Sequence, residues 1–189
     1  NDALPTFHRY LLLRKRMLGV DTLKYSDLYA PVVRSVDMEF PYERARAAVL
    51  ESLKPMGKDY VASVQAAFDG RWIDVPPTPG KRSGAYSNGA VYDSHPYILL
   101  NFNGKYDDVS TLAHELGHTM HSYLANKAQP YALSHYSIFV AEVASTFNES
   151  LLLERGLLQE RLFHETRGFE RIPAEHDLLR AGRQIRQRF

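Results

Sequence analysis

Cysteine is absent from this 189-residue chain, which excludes disulfides, zinc–thiolate sites and thiol nucleophiles together. Any metal is left to His, Asp or Glu. An excess of charge of one sign is also missing: 23 Lys and Arg stand against 22 Asp and Glu, a formal net charge of +1. Such a balance offers nothing to a nucleic acid or a membrane surface, so neither is expected as a partner. Apolar runs stay short. The best of them, around Tyr97–Leu100, has the size of a strand and not of a bilayer-spanning helix. The chain opens on Asn1-Asp2-Ala3 with neither an initiator Met nor a basic and apolar leader, so a processed or partial N-terminus is expected and a cytoplasmic location is the default.

What the chain does have is the composition of a packed globular protein, 44% hydrophobic and 24% charged. Helical periodicity runs over 7–18, from Pro41 to Pro55, over 58–68, over 108–124 and over 137–154, with Gly156 as the expected stop. Between them, 75–84 is dense in Pro and Gly and reads as a long loop or a pair of short strands. Tyr97–Phe102 is the clearest strand, bounded by Pro96 and by Asn103-Gly104. No repeat and no long linker is visible. The expectation is one mainly helical domain over 1–189 with a small β element, its strand near 97–102 lying at a sheet edge where an extended peptide can add on.

Four of the eight histidines fall between 114 and 135. Among them stands His114-Glu115-Leu116-Gly117-His118. Positions i and i+4 share a helix face, so both imidazoles can reach one ion while Glu115, one step round the helix, reaches a water beside it. The alternative is two ordinary histidines on an amphipathic helix. Asp107 or Asp108 is available as the helix cap, with Leu112, Leu116 and Leu124 for packing.

Catalytic zinc commonly takes three protein ligands, and Glu142 is the leading candidate for the third. It lies in an apolar, small-residue run, Phe139–Phe147, where burying a free carboxylate is costly. A buried acid paired with Arg is the alternative. Glu149, seven residues on and on the same face, reads as an acceptor for a ligand histidine's ring N–H, or as a plain ion-paired glutamate. His121 shares a side with His118 and suits a hydrogen-bond partner or a substrate contact. His135 and Tyr136, in the connecting loop, are candidate donors to the substrate carbonyl. His8, His95, His164 and His176 read as surface or packing residues. Gly80-Lys-Arg-Ser-Gly84 lacks the spacing of a phosphate loop.

Several stretches together resemble oligoendopeptidase F and the thimet oligopeptidase group of zinc peptidases: Gly84-Ala-Tyr-Ser87, His95–Asn101, Tyr106–His121 and Ala141–Glu149. The resemblance covers about 6–153, leaving 154–189 as a divergent helical tail. It implies a mainly α, zincin-like catalytic core with an HExxH helix and a following Glu-bearing helix. It implies one zinc ion on His114, His118 and Glu142, and Glu115 as general base. Short peptides would lie along the strand preceding the motif helix and be cut at internal bonds. Members of the group carry a later His and tyrosines that hold the carbonyl oxygen. No Tyr follows Tyr136 here, so impaired turnover is expected, with a non-catalytic metal- and peptide-binding fragment as the alternative. A related metallocarboxypeptidase is a third possibility.

Overall fold

The computed structural model describes residues 2–30 and 39–167, with side chains described as far as Arg155 and Gly156. The chain clusters into two compact units, residues 1–37 with 168–189, and residues 38–167. Of the expected tail, 168–189 lies outside the described residues, and His176 with it.

In the first unit, α1 (Leu4–Leu18) starts on Pro5, which needs no backbone donor in the first turn, and closes on Gly19 in the left-handed conformation. Arg14 is its one buried side chain; its guanidinium donates to the Asp27 and Ala30 carbonyls, at 2.8 and 2.6 Å, and so ties the helix to the 3-10 turn at 25–29.

The second unit holds α2 (Tyr42–Ser52), α3 (Lys58–Asp69), α4 (Tyr106–Ala128) and α5 (Ile138–Arg167), with strands β1 (Ile73–Asp74), β2 (Tyr86–Asn88) and β3 (Tyr97–Leu99). Its core is built around α4. Val109, Leu112, Ala113, Leu116 and Met120 are all at most 1% exposed, and meet Val49 and Leu53 of the α2 end, Val64 of α3, Ile98 of β3 and Leu152 of α5. Each of these side chains except the single methyl of Ala113 contributes about 1.5–3 kcal/mol by leaving water, which makes α4 the axis of the unit. Leu124, expected to pack, is 47% exposed and lies outside the packed face of α4.

Sheet order corrects one expectation. The strands run β1-β3-β2, with β1 parallel and β2 antiparallel to β3. The strand at Tyr97–Leu99 is therefore central and not an edge; β1 and β2 are the edges. Two short partners flank it, β1 arriving from α3 and β2 following the Pro- and Gly-rich segment at 75–84. Ser87 and Ile98 pair across the sheet and face α4, whereas Tyr86, Asn88 and Tyr97 lie on the open face.

Two helix ends also differ from the expected ones. Lys105, not an Asp, is the cap of α4; Asp108 acts from three residues inside, accepting the Lys105 and Asn103 backbone N–H groups at 2.8 and 3.0 Å. Nor does Gly156 stop α5, which continues to Arg167. A glycine inside a helix costs about 1 kcal/mol against alanine, too little to end one that is already packed at Leu152 and tied by Arg155 to Glu51 at 3.0 Å.

Candidate metal centre

The site is assembled where α4 and α5 cross. Gly117 makes the crossing possible: a Cβ there would stand 2.6 Å from both the Ala144 carbonyl oxygen and the Ser145 Cα. The glycine inside the motif is thus a packing requirement, since any side chain would push α5 away. Asn148, 1% exposed, fastens the same seam by donating to the Ala113 carbonyl at 3.3 Å and accepting from the Tyr60 hydroxyl at 3.2 Å.

That close approach sets Glu142 over the two motif histidines. Nε2 of His114 and Nε2 of His118 are 3.1 Å apart, and Glu142 Oε2 is 3.5 and 3.7 Å from them. Among the described residues these three side chains are the only group with ligand atoms converging in this way. Three donors placed tetrahedrally around zinc at 2.0–2.1 Å stand about 3.3–3.4 Å from one another. The triangle here has that size, so the residues fit the ion.

Orientation of the donors is built in. Glu149 Oε1 lies 2.6 Å from His114 Nδ1 and its other oxygen accepts from Ser110 Oγ at 3.1 Å. With its proton on Nδ1, His114 presents Nε2 to the cluster as a lone pair. Burial is the largest influence pushing the His118 pKa below the usual histidine value, with the neighbouring His114 acting in the same direction and the Ala141 backbone carbonyl opposing them. A neutral imidazole is the form that binds a metal. Glu142 Oε2 accepts from Ser145 Oγ at 2.8 Å. The expected reason for Glu142 needs correcting, however. Its side chain is 45% exposed, and the apolar residues around it, Phe139, Val143 and Phe147, are 79%, 58% and 50% exposed. The carboxylate is not trapped in an apolar interior; it sits at the rim of the crossing.

Glu115 is 6% exposed. Burial raises its pKa above the ordinary carboxylate range, opposed by His114 and by a backbone N–H from Ser87. Ser87 Oγ also pairs with the buried Thr119 hydroxyl at 2.7 Å, so β2 is stitched to α4 at two levels. Beyond β2, Gly89 presses directly on Ser122, where any Cβ would meet the hydroxyl at 2.1 Å.

His121, His135 and Tyr136 are not brought to the three converging atoms. The His121 ring stacks on Tyr136 with centroids 3.8 Å apart, its Nδ1 is buried without a partner, and burial holds its pKa low. The Tyr136 hydroxyl is engaged with Ser122 Oγ. His135 packs edge-on to Tyr131 at 5.6 Å. His95 does pack, stacked on Trp72 at 4.5 Å. No sequence signal points to Ser87, Ser110, Ser145 or Asn148, because a lone serine or asparagine in a helix or a short strand carries no periodic or spacing pattern.

Two clefts flank the cluster. One of about 490 Å³ opens beside His118 between β2 and the α4–α5 connection. The other, about 440 Å³, opens beside His114 and Glu115 and carries Asp107 and Glu149.

A helix bearing two histidines and a buried glutamate, crossed by a helix bearing two more carboxylates, defines a zincin-like peptidase core. The chain belongs to peptidase family M3, which it matches over residues 1–186. It is 47% identical over 154 residues to oligopeptidase PepF of Bacillus subtilis (82% of this chain, 23% of that protein) and 48% identical over 160 residues to an oligoendopeptidase F homolog of Lactococcus lactis (85% and 26%). A solved peptidase structure from Chlamydophila abortus is 40% identical with a TM-score of 0.72, covering 82% of this chain and 26% of that one. PZ peptidase A, 22% identical with a TM-score of 0.56 over 77% of this chain and 26% of its own, shares the fold. The chain spans about a quarter of the length of the curated relatives it matches.

Proposed function

We propose that the chain carries the zinc centre of an oligoendopeptidase acting in the cytoplasm on internal bonds of short peptides. His114, His118 and Glu142 hold the ion, and Glu115 is the general base. The observation that supports this most is the 3.1–3.7 Å triangle of donor atoms. When bound, zinc acidifies a water and polarises a carbonyl. The rest belongs to the chain. The Glu115 carboxylate, poised by burial nearer the working pH than an exposed glutamate, takes a proton from the attacking water and hands it to the departing amine. Glu149 keeps the His114 imidazole turned toward the ion. The edge of β2 offers backbone groups to an extended peptide. His121 and Tyr136 support the wall beside His118, and His135 reaches the same space.

Zinc analysis together with a quenched-peptide assay, with and without chelator, tests the reading. Glu115→Gln should keep one zinc per chain and lose turnover by a factor of about 10² or more, whereas His118→Ala should lose the zinc. Turnover of Glu115→Gln at the original rate would refute the assignment of the base. Cleavage of a C-terminally amidated peptide distinguishes endopeptidase from carboxypeptidase action.

A further inference from the structure

The cleft beside His118 differs in chemistry from the one beside His114. Among the described residues no Asp, Glu, Lys or Arg lines it; its walls are the rings of Tyr86, Tyr92, Tyr131, His135 and Tyr136 with the side chain of Ile138. The rings are fixed as walls. Tyr92 and Tyr131 meet edge to face at 5.5 Å, and Tyr131 and His135 do so at 5.6 Å. Two of the polar tips are occupied elsewhere, the Tyr92 hydroxyl donating to the Gln129 carbonyl at 2.6 Å and the Tyr136 hydroxyl pairing with Ser122. Toward the cleft the rings and Ile138 present apolar faces, with Asn88, Asn126 and Ser134 adding uncharged polar groups between them; much of the apolar part is uncovered, Tyr131 being 61% exposed and Ile138 75%. The volume, about 490 Å³, lies in the range of sites that enclose a small ligand. His118 itself lines the cleft, as do all three residues of β2, so a peptide laid along β2 passes its mouth.

We infer that this cleft is a side-chain subsite selecting a large aromatic residue next to the bond that is cut, with Tyr131 and Ile138 as its specificity-determining walls. The inference rests on the peptidase reading of the centre. An aromatic guest gains offset or edge-on contacts with several rings at once. A charged guest would lose its hydration here without meeting an opposite charge. Across the centre the other cleft carries Asp107, Glu115 and Glu149 and offers no comparable apolar wall, which fixes the side on which the aromatic residue sits.

Binding of blocked pentapeptide amides, acetyl-Gly-Gly-Xaa-Gly-Gly-amide with Xaa as Phe, Ala, Lys or Asp, tests the subsite on the full chain in its Glu115→Gln form, with zinc added and with zinc withheld. Phe should bind at least about tenfold more tightly than Ala in both conditions, with Lys and Asp no better than Ala. Tyr131→Ala combined with Ile138→Ser should bring the Phe-to-Ala ratio below about two, leaving Ala affinity, zinc content and thermal midpoint unchanged; Tyr131→Phe should keep the ratio. A ratio near one in the parent, or one that survives the double substitution, overturns the subsite. Zinc stoichiometry is measured separately, so absence of zinc uptake would refute the metal centre while the ratio in metal-free protein still decides the subsite.

Discussion

Helices α4 and α5 contribute to the same cluster yet are held in opposite ways. α4 is enclosed, with sheet on one side, α5 on another and α2 and α3 behind, so that Leu112, Ala113, Leu116 and Met120 are all fully buried. Among its described side chains, α5 is packed along one face, against α4 and, at Asn148, Leu152 and Arg155, against α2 and α3. Ala141, Ser145, Asn148 and Leu152 face inward, while Phe139, Val143, Phe147 and Leu153 are half exposed or more. Rigidity of the two histidines and Glu115 is therefore a property of the core, whereas the position of Glu142 and Glu149 depends on the one packed face of α5. Enclosed and one-sided helices should respond differently to substitution.

The largest effect is expected on the enclosed side. Leu116→Ala removes a side chain with 0% exposure and should cost about 2–5 kcal/mol of stability, read by chemical denaturation. Next comes the seam. Gly117→Ala puts a methyl 2.6 Å from α5 backbone atoms and should cost about 1–3 kcal/mol; zinc affinity should fall with it, because Glu142 moves away from the histidines. A Gly117→Ala protein that binds zinc with parental affinity would show that α5 does not set the third donor. Smaller again is Glu149→Gln, which keeps the shape but weakens the hold on His114. Zinc affinity should drop about 10–100-fold with the unfolding midpoint little changed, as measured by chelator competition. The smallest belongs to the outer face of α5, where Val143→Ser should stay within about 0.5 kcal/mol of the parent. A large loss there would mean that the face is covered in this chain.

How much of this was legible beforehand follows the same division. α4 declares itself, because a helix buried on most sides has strong periodicity and its motif has a fixed spacing; His114, Glu115 and His118 needed no tertiary information to be placed together. Glu142 and Glu149 were legible as residues but not in their setting. An apolar run such as Phe139–Phe147 looks the same whether it faces a core or lies open. β2 was hidden, being three residues of Tyr-Ser-Asn without alternation, and with it the edge that Tyr97–Leu99 was expected to form. Sheet order is set by which segments return to pair, a non-local matter that Pro96 and Asn103-Gly104 do not encode. Gly156 misled because a glycine ends a helix only where no packing holds the next turn.

X-ray absorption of the zinc-loaded chain tests the shared centre most directly. One zinc per chain with two imidazole nitrogens and a carboxylate oxygen at about 2.0–2.1 Å, with no zinc held by His118→Ala and the carboxylate missing from the shell in Glu142→Ala, is the expected result. A zinc ion with the same coordination in both variants, or none retained by the parent chain, would contradict it.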